Sequence, residues 1–235
     1  MRLLRRGVIM VRSAVPPPDE REVLRALRVP HATRITDIDE RGVREAITLA
    51  LDRALAMTAF EGVFRTAETS EIREDEVVLR EAPPGLLRSS VLAKRFAGAR
   101  EVGLSVVTLG ERWDEALDEL ARRGEPAEAW FLDALGTFFV DRAARMVEAR
   151  IASDLARAGL ARSARYRPGY EGYPIEAQGA LCPFVEASRI GVTVNEAMSL
   201  WPRKSVTTVV SFVAREDGGA LEDEGDPVVT EAKSS

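Results

Sequence analysis

Apolar and polar residues recur along this chain with two different periods. Val43, Ile47, Leu51 and Leu55 stand four apart, which puts them on one face of a helix. Thr36 or Asp37 can cap that helix, and the pattern runs to about Met57. Before it, Asp19 can cap a short helix reaching about Arg28. Residues 62–68 and 76–81 carry strand-like content, with VVL flanked by charges. Ser89 to Ala97 reads as a helix followed by Gly98. EVGLSVVTLG, residues 101–110, is a β-rich apolar run ending in glycine, the signature of a buried central strand. Glu111 to Arg123 is a helix closed by Gly124. Pro126 opens a long helical pattern through about Ala158, with Gly159 as its stop. Pro174 can start another helix through about Ala187, and Gly191 breaks the chain before VTV. KSVTTVVSFV, residues 204–213, has a continuous β-branched centre and reads as a strand.

Helices and strands mix without a βαβ rhythm. The expected fold class is therefore α+β, with one mixed or antiparallel sheet covered by helices. VPPPD, residues 15–19, interrupts regular structure, so residues 1–18 are expected to form an irregular leader. Residues 19–214 form a single domain in this reading. Residues 215–235 hold three glycines, seven acids and two bases, and a disordered acidic tail is expected there. Gly136 falls inside the long helix. Glycine costs a helix about 1 kcal/mol relative to alanine, so close packing against a neighbour or a ligand is expected at that point.

Composition narrows the chemistry. Aromatics make up 6% of the 235 residues, so the core must be built mainly of Leu, Val and Ala. The net charge of −5 is that of the tail alone. The remainder is balanced, with no basic field for nucleic acid. One cysteine, Cys182, excludes an internal disulfide and a thiolate zinc cluster. The one histidine, His31, follows Pro30 in an expected turn and offers no Ser-His-Asp set and little for a metal. Cys182-Pro183 reads as core packing. VTLGERW, residues 107–113, lacks the spaced glycines of a dinucleotide site. The N-terminal GVIMV is too short for a signal sequence or a membrane span. The expected location is cytoplasmic.

Two segments stand out. RYRPGYEGYP, residues 165–174, contains every tyrosine of the chain. Pro168-Gly169 is a turn dipeptide. Arg165 and Arg167 can fork onto a carboxylate or phosphate, and the tyrosines can stack on a flat ring or a cation. That set suits a zwitterionic, partly planar ligand. By residue type alone, a Tyr-rich turn packed over the sheet edge is the simpler reading. IGVTVNEAMSLWPRKSV, residues 190–206, offers the carboxylate Glu196, a flat apolar surface at Trp201-Pro202, and the cations Arg203 and Lys204. By residue type it could equally be a strand-turn-strand with solvated charges.

In order and spacing, RYRPGY, the following helix with Gln178, and IGVTVNEAMSLWPRKSV resemble the C-terminal activation domain of cobalamin-dependent methionine synthase. They are most similar to the stand-alone proteins related to that domain. VVTLG, residues 106–110, and LDALG, residues 132–136, fit the same branch, and the resemblance spans about residues 21–213. It implies a protein that binds S-adenosylmethionine and docks on a corrinoid protein, where it supports reductive reactivation of cob(II)alamin. In that scheme a flavodoxin-type donor supplies one electron, and the methyl group of S-adenosylmethionine then traps the reduced cobalt. A stand-alone copy would act in trans, as a methyltransferase-type component of methionine biosynthesis, on a methionine synthase lacking its own activation domain or on another corrinoid protein. No Asp-x-His-x-x-Gly motif occurs here, so the partner would hold the cobalamin.

Residue by residue, the resemblance assigns Arg165 to the amino-acid end of S-adenosylmethionine, with Pro168, Gly169 and Tyr170 beside it. Tyr173, Glu196, Trp201, Pro202 and Lys204 are assigned to the face that meets the corrinoid partner. Asn195 and Ala197 flank Glu196 where the family has Thr and Ser. Thr137 and Gly159 stand where the family has acids, and Asp141 and Asp154 are the candidates to replace them. The family's last segment, which contributes a tyrosine, gives way here to the acidic tail. These departures fit an alternative in which the chain has lost the ligand and serves as a non-catalytic scaffold or chaperone for a corrinoid protein. A small-molecule sensor on the same fold is a third reading.

Overall fold

The computed structural model describes residues 7–29 and 31–215. Pro30, residues 1–6 and the acidic segment from 216 onward, expected to be disordered, lie outside the described residues. In chain order the elements are β1 (Ile9–Ala14), α1 (Glu20–Ala26), α2 (Arg41–Leu55), β2 (Ala59–Ile72), β3 (Val77–Leu79), α3 (Ser90–Arg95), β4 (Glu101–Thr108), α4 (Arg112–Arg123) and α5 (Pro126–Ala156). They continue with β5 (Leu160–Tyr166), α6 (Gln178–Phe184), β6 (Thr193–Val194), β7 (Leu200–Trp201) and β8 (Ser205–Ala214). The main sheet runs β1-β2-β4-β8-β5, with β3 paired to the far end of β2. Every pairing is antiparallel. β6 and β7 form a separate small hairpin.

The sheet is covered on both faces, and its alternating side chains divide between two cores. Phe64, Val107, Val210 and Phe212 point into one core with α2, α4 and α5. Val63, Val106, Leu104 and Val209 point into the other with α3, α6 and the tyrosine loop. This explains the unbroken apolar run of β4, whose residues are buried on both sides. Trp113 anchors the first core and donates its indole N–H to the Met57 carbonyl at 3.0 Å.

Glycines let α5 lie directly on the sheet. A Cβ on Gly62 would stand 2.9 Å from Val147 Cγ2, and one on Gly103 2.9 Å from Ile151 Cγ2. On the helix itself, a Cβ on Gly136 would meet Lys204 Cε at 2.8 Å and Trp113 Cε3 at 2.9 Å. The glycine inside the long helix is therefore a packing residue.

Several elements differ from the sequence expectation. Residues 1–18 are not irregular throughout, because Ile9–Ala14 form the edge strand β1 in register with Phe64 to Ala59. Its pattern alternates, with Ile9 and Val11 packed against the core. Asp37 does not cap α2. Its carboxylate accepts from the Thr33 and Arg34 backbone N–H groups and from the Thr33 hydroxyl, closing a 3₁₀ turn at Ile35–Asp37 instead. β5, LARSARY, is a strand that the sequence pattern does not announce. It lacks the usual β-branched residues, and its pairing with β8 shifts register between Arg162 and Arg165. The helix expected from Pro174 to Ala187 is broken into a 3₁₀ turn at Ile175–Ala177, then α6, then a second 3₁₀ turn at Ala187–Ile190. Asp19 does cap α1, in a capping box with Glu22, and Gly124 ends α4 in the left-handed region.

The tight seat of α5 gives a stability test. Gly103→Ala forces a methyl against Ile151 and should destabilise the fold by about 1–3 kcal/mol, measured by urea unfolding. An unchanged midpoint would mean that α5 can shift off the sheet without cost.

Candidate functional site

The tyrosine loop leaves β5 at Tyr166 and is folded by its glycines. Gly169 and Gly172 have φ of +86° and +72°, a region that glycine enters without strain. The Gly169 N–H donates to the Tyr173 carbonyl at 2.8 Å, and the Tyr173 N–H to the Tyr170 carbonyl at 2.9 Å. The loop is pinned to the start of α3, where the Ser89 hydroxyl donates to the Gly172 carbonyl at 2.6 Å. A Cβ on Gly172 would lie 2.3 Å from Val91, so no other residue fits there.

The three tyrosines have different tasks. Tyr166 is buried and donates its hydroxyl to the Glu171 carbonyl. Tyr173 is 1% exposed and donates to the Leu86 carbonyl at 3.0 Å, and burial pushes its phenol above the ordinary range. Tyr173 therefore staples the loop to the core and does not face a partner, contrary to the expectation. Tyr170, 38% exposed, is the one left at the surface.

Beside this loop stands the β6–β7 hairpin, and the two enclose a cavity of about 440 Å³. Arg167, Pro168, Tyr170 and Ile175 form one wall, and residues 197–200 of the hairpin form another. Gln178 of α6 lies between them, with Ser205, Val206 and Thr207 of β8 behind and Arg203 also lining the cavity. The two segments singled out in the sequence are thus brought together. Apolar surface with a few convergent polar groups is the usual composition of a small-molecule site.

The remaining expected residues separate. Glu196 and Trp201 are exposed, and neither lines the cavity. Pro202 is buried. Lys204 is buried as well. Its Nζ lies 2.8 Å from an Asp133 carboxylate oxygen and donates to the Thr137 hydroxyl at 3.1 Å. It is a packing cation seated on Gly136, so its expected partner-facing role is corrected. Cys182 is buried, and burial pushes its thiol up to about 12, which leaves it unreactive.

The arginines change places relative to the expectation. Arg165 lies in β5 with a side chain 9% exposed, its Nε 2.7 Å from an oxygen of Glu148, which is fully buried. Asp141 lies 3.2 Å from the same guanidinium. Arg165 does not line the cavity. Arg167, two residues on, does. It is paired from behind by Asp141, and its Nε is buried with no hydrogen-bond partner. Asp141, one of the two candidates to replace the family's acids, thus pairs with both arginines of the segment. Asp154 pairs with Arg150 at 3.0 Å and Arg157 at 3.7 Å. By residue type the sequence offered both Arg165 and Arg167 to an anion, but the resemblance assigned only Arg165, and it gave Gln178 no role; the clue available for Arg167 was its position immediately before Pro-Gly.

No family model matches the chain, and no curated protein matches it. Among solved structures it is similar to the crystal structure of the MetH reactivation domain bound to AdoHcy, with a TM-score of 0.59. The match covers 92% of this chain and 81% of that one at 16% identity. The chain has the MetH reactivation-domain fold. This agrees with the α+β class expected from the sequence. Among the described residues, no helix is long and apolar enough to cross a membrane.

Asp141 offers a pH test of this corner of the reactivation-domain fold. Burial works to raise its carboxyl, but the Arg167 and Arg165 guanidinium groups beside it prevail and hold it below the ordinary 3.8. A lowered folded-state value means stability that is present above the unfolded value and lost as pH falls through the folded one. The stability gap between wild type and Asp141→Asn should therefore be constant above about pH 5 and should close on further acidification. A gap that does not change with pH would show that the carboxylate charge contributes nothing.

Proposed function

We propose that this chain binds S-adenosylmethionine in the cavity between the tyrosine loop and the β6–β7 hairpin. In the same reading it docks on a cytoplasmic corrinoid protein, such as a methionine synthase lacking its own activation domain, and supports reductive methylation of the partner's cob(II)alamin. The observation that carries the proposal is the cavity itself. In a chain with the reactivation-domain fold, it is walled by the two segments that resemble the activation domain. The partner's cobalamin supplies the methyl-accepting cobalt, and a flavodoxin-type donor supplies the electron. This chain's residues bind and orient the methyl donor.

Arg167 is the residue assigned to the carboxylate of S-adenosylmethionine. Its side chain lines the cavity, where a guanidinium can form charge-assisted, forked hydrogen bonds to a carboxylate. Asp141 holds the guanidinium from behind and limits its rotation. Tyr170, and Pro168 and Gly169 at the turn, shape the wall beside it, while Arg165 has a supporting role. Tyr170, Ile175 and Trp201 leave apolar surface exposed on the loop and the hairpin for a partner to cover.

A second reading keeps the docking surface without the ligand. It is favoured by Asp141, which already pairs with Arg167. In that case the protein is a scaffold for a corrinoid protein.

Calorimetric titration with S-adenosylmethionine distinguishes the two, alone and then with a corrinoid protein present. Arg167→Ala should weaken binding by at least about tenfold, the loss of a charge-assisted contact worth about 1.5–3 kcal/mol. Arg165→Ala should act mainly on stability, lowering it by up to about 3–5 kcal/mol because buried Glu148 keeps only the longer contact to Arg162, at 4.0 Å. Wild-type affinity in Arg167→Ala would move the ligand away from this cavity. No binding by the wild type, with or without the partner, would favour the scaffold.

A further inference from the structure

The β6–β7 hairpin has a firm base and a lightly held tip. At the base, Val194 and Leu200 pack against the second core. Just beyond it, Arg203 is fixed to α4, its Nε 2.5 Å from Asp114 and its Nη2 2.6 Å from Asp118. The tip, residues 195–199, closes on itself: the Asn195 N–H donates to the Ser199 carbonyl at 3.0 Å, and the Ser199 N–H to the Asn195 side-chain oxygen at 2.9 Å. Met198 adopts φ of +58° there, in the left-handed region uncommon for residues other than glycine. Among the described residues, one hydrogen bond joins this tip to the rest of the protein. It is donated by the Gln178 amide to the Met198 carbonyl at 2.7 Å.

Gln178 is itself held. It is buried, and its side-chain oxygen accepts from the Thr207 hydroxyl at 3.2 Å. That contact decides which end of the amide faces the hairpin, since only the NH₂ end can donate to a carbonyl. The chain Thr207–Gln178–Met198 thus runs from the central sheet, through α6, to the hairpin wall, and Gln178, Thr207 and Met198 all line the cavity.

We infer that Gln178 is a positioning residue that latches the β6–β7 hairpin over the cavity, so that the ligand-binding wall is set by this single amide. The effect on ligand binding rests on the function proposed above; the latch itself does not. Two measurements keep the two apart. The first is hydrogen exchange of residues 195–199 in the free protein. In Gln178→Leu these amides should exchange about three- to tenfold faster than in the wild type, the scale set by the net worth of one hydrogen bond. Thr207→Val, which leaves Gln178 in place but unanchored, should move them in the same direction by less. The second is calorimetric titration with S-adenosylmethionine, whose affinity should fall by a similar factor in Gln178→Leu.

Gln178→Glu supplies a readout that a loss of packing would not move. Ionised, the new carboxylate cannot donate to the Met198 carbonyl; protonated, it can. Burial raises such a carboxyl, and Arg167 and Arg203, the charged groups lining the same cavity, lower it. In either balance the latch should return as pH falls. The exchange and affinity of Gln178→Glu, each as a ratio to the wild type at the same pH, should recover as pH falls through the range in which the new carboxyl is seen to titrate by NMR. Unchanged exchange in both Gln178→Leu and Thr207→Val would overturn the latch, as would a Gln178→Glu ratio that stays flat while the new carboxyl titrates. Faster exchange with undiminished S-adenosylmethionine affinity would overturn its control of the site. If the wild type binds no S-adenosylmethionine, the functional reading fails, and the exchange rates alone decide the latch.

Discussion

Burying a carboxylate is costly unless it is paired and hydrogen-bonded, and Glu148 sits in the middle of α5 with none of its surface exposed. Its partners both come from β5: the Arg165 guanidinium at 2.7 Å and Arg162 at 4.0 Å. With the pairing to β8, these contacts tie the last strand of the sheet to the helix. β5 is otherwise a poor strand, short of β-branched residues and out of regular register in its middle. Hydrophobic burial alone does not account for its position, since most of its residues are only partly buried. Breaking such a pair from one side is costly because the other charge is left stranded. The pairing therefore specifies the strand's seat on the helix, and everything after the strand depends on that seat.

Beyond the strand, the tyrosine loop takes a shape set by close contact. Gly169 and Gly172 turn it, Tyr166 and Tyr173 tie it to the core, and Ser89 holds it at the start of α3. On the other side of the cavity the hairpin is fixed at its base by the Arg203–Asp114 pair. The hairpin is thus held at its base by Arg203 and at its tip by Gln178, both lining the cavity, while Arg167 and Tyr170 face it from the loop. Rigid elements supporting a small set of polar side chains is the arrangement that binding sites require.

The α+β class, the central strand β4, the long helix α5 and the strand β8 were legible because each is carried by a long periodic run or a clear stop. So was the pairing of the two unusual segments, by their order and composition. β1 and β5 were not. Both are edge strands, and each carries charged or small residues where a strand pattern is usually read. The tyrosines misled for a different reason. A phenol can be a ligand-facing ring or a buried staple with one hydrogen bond, and residue type does not separate the two. Lys204 failed in the same way: the groups that let it be buried, the Asp133 carboxylate and the Thr137 hydroxyl, come from α5, far away in the chain.

Arg165 and Arg167 show how little separates an arginine buried against the core from one that lines a cavity. In a strand, residues two apart point to the same side, and both guanidinium groups reach Asp141 on α5. Side-chain direction therefore does not distinguish them. What does is the end of the strand: β5 stops at Tyr166. At Arg165 the backbone is still paired to Val210 of β8, and the helix closes over the side chain with Glu148. At Arg167 the chain has left the sheet, Asp141 is the acid paired with it among the described residues, and the side chain lines the cavity. The same residue type, moved past the last rung of a ladder, changes from filling the protein's own charge deficit to lining a cavity. Reading a cavity-lining arginine from sequence thus depends on knowing where the strand ends, and β5 was the strand least visible in the pattern.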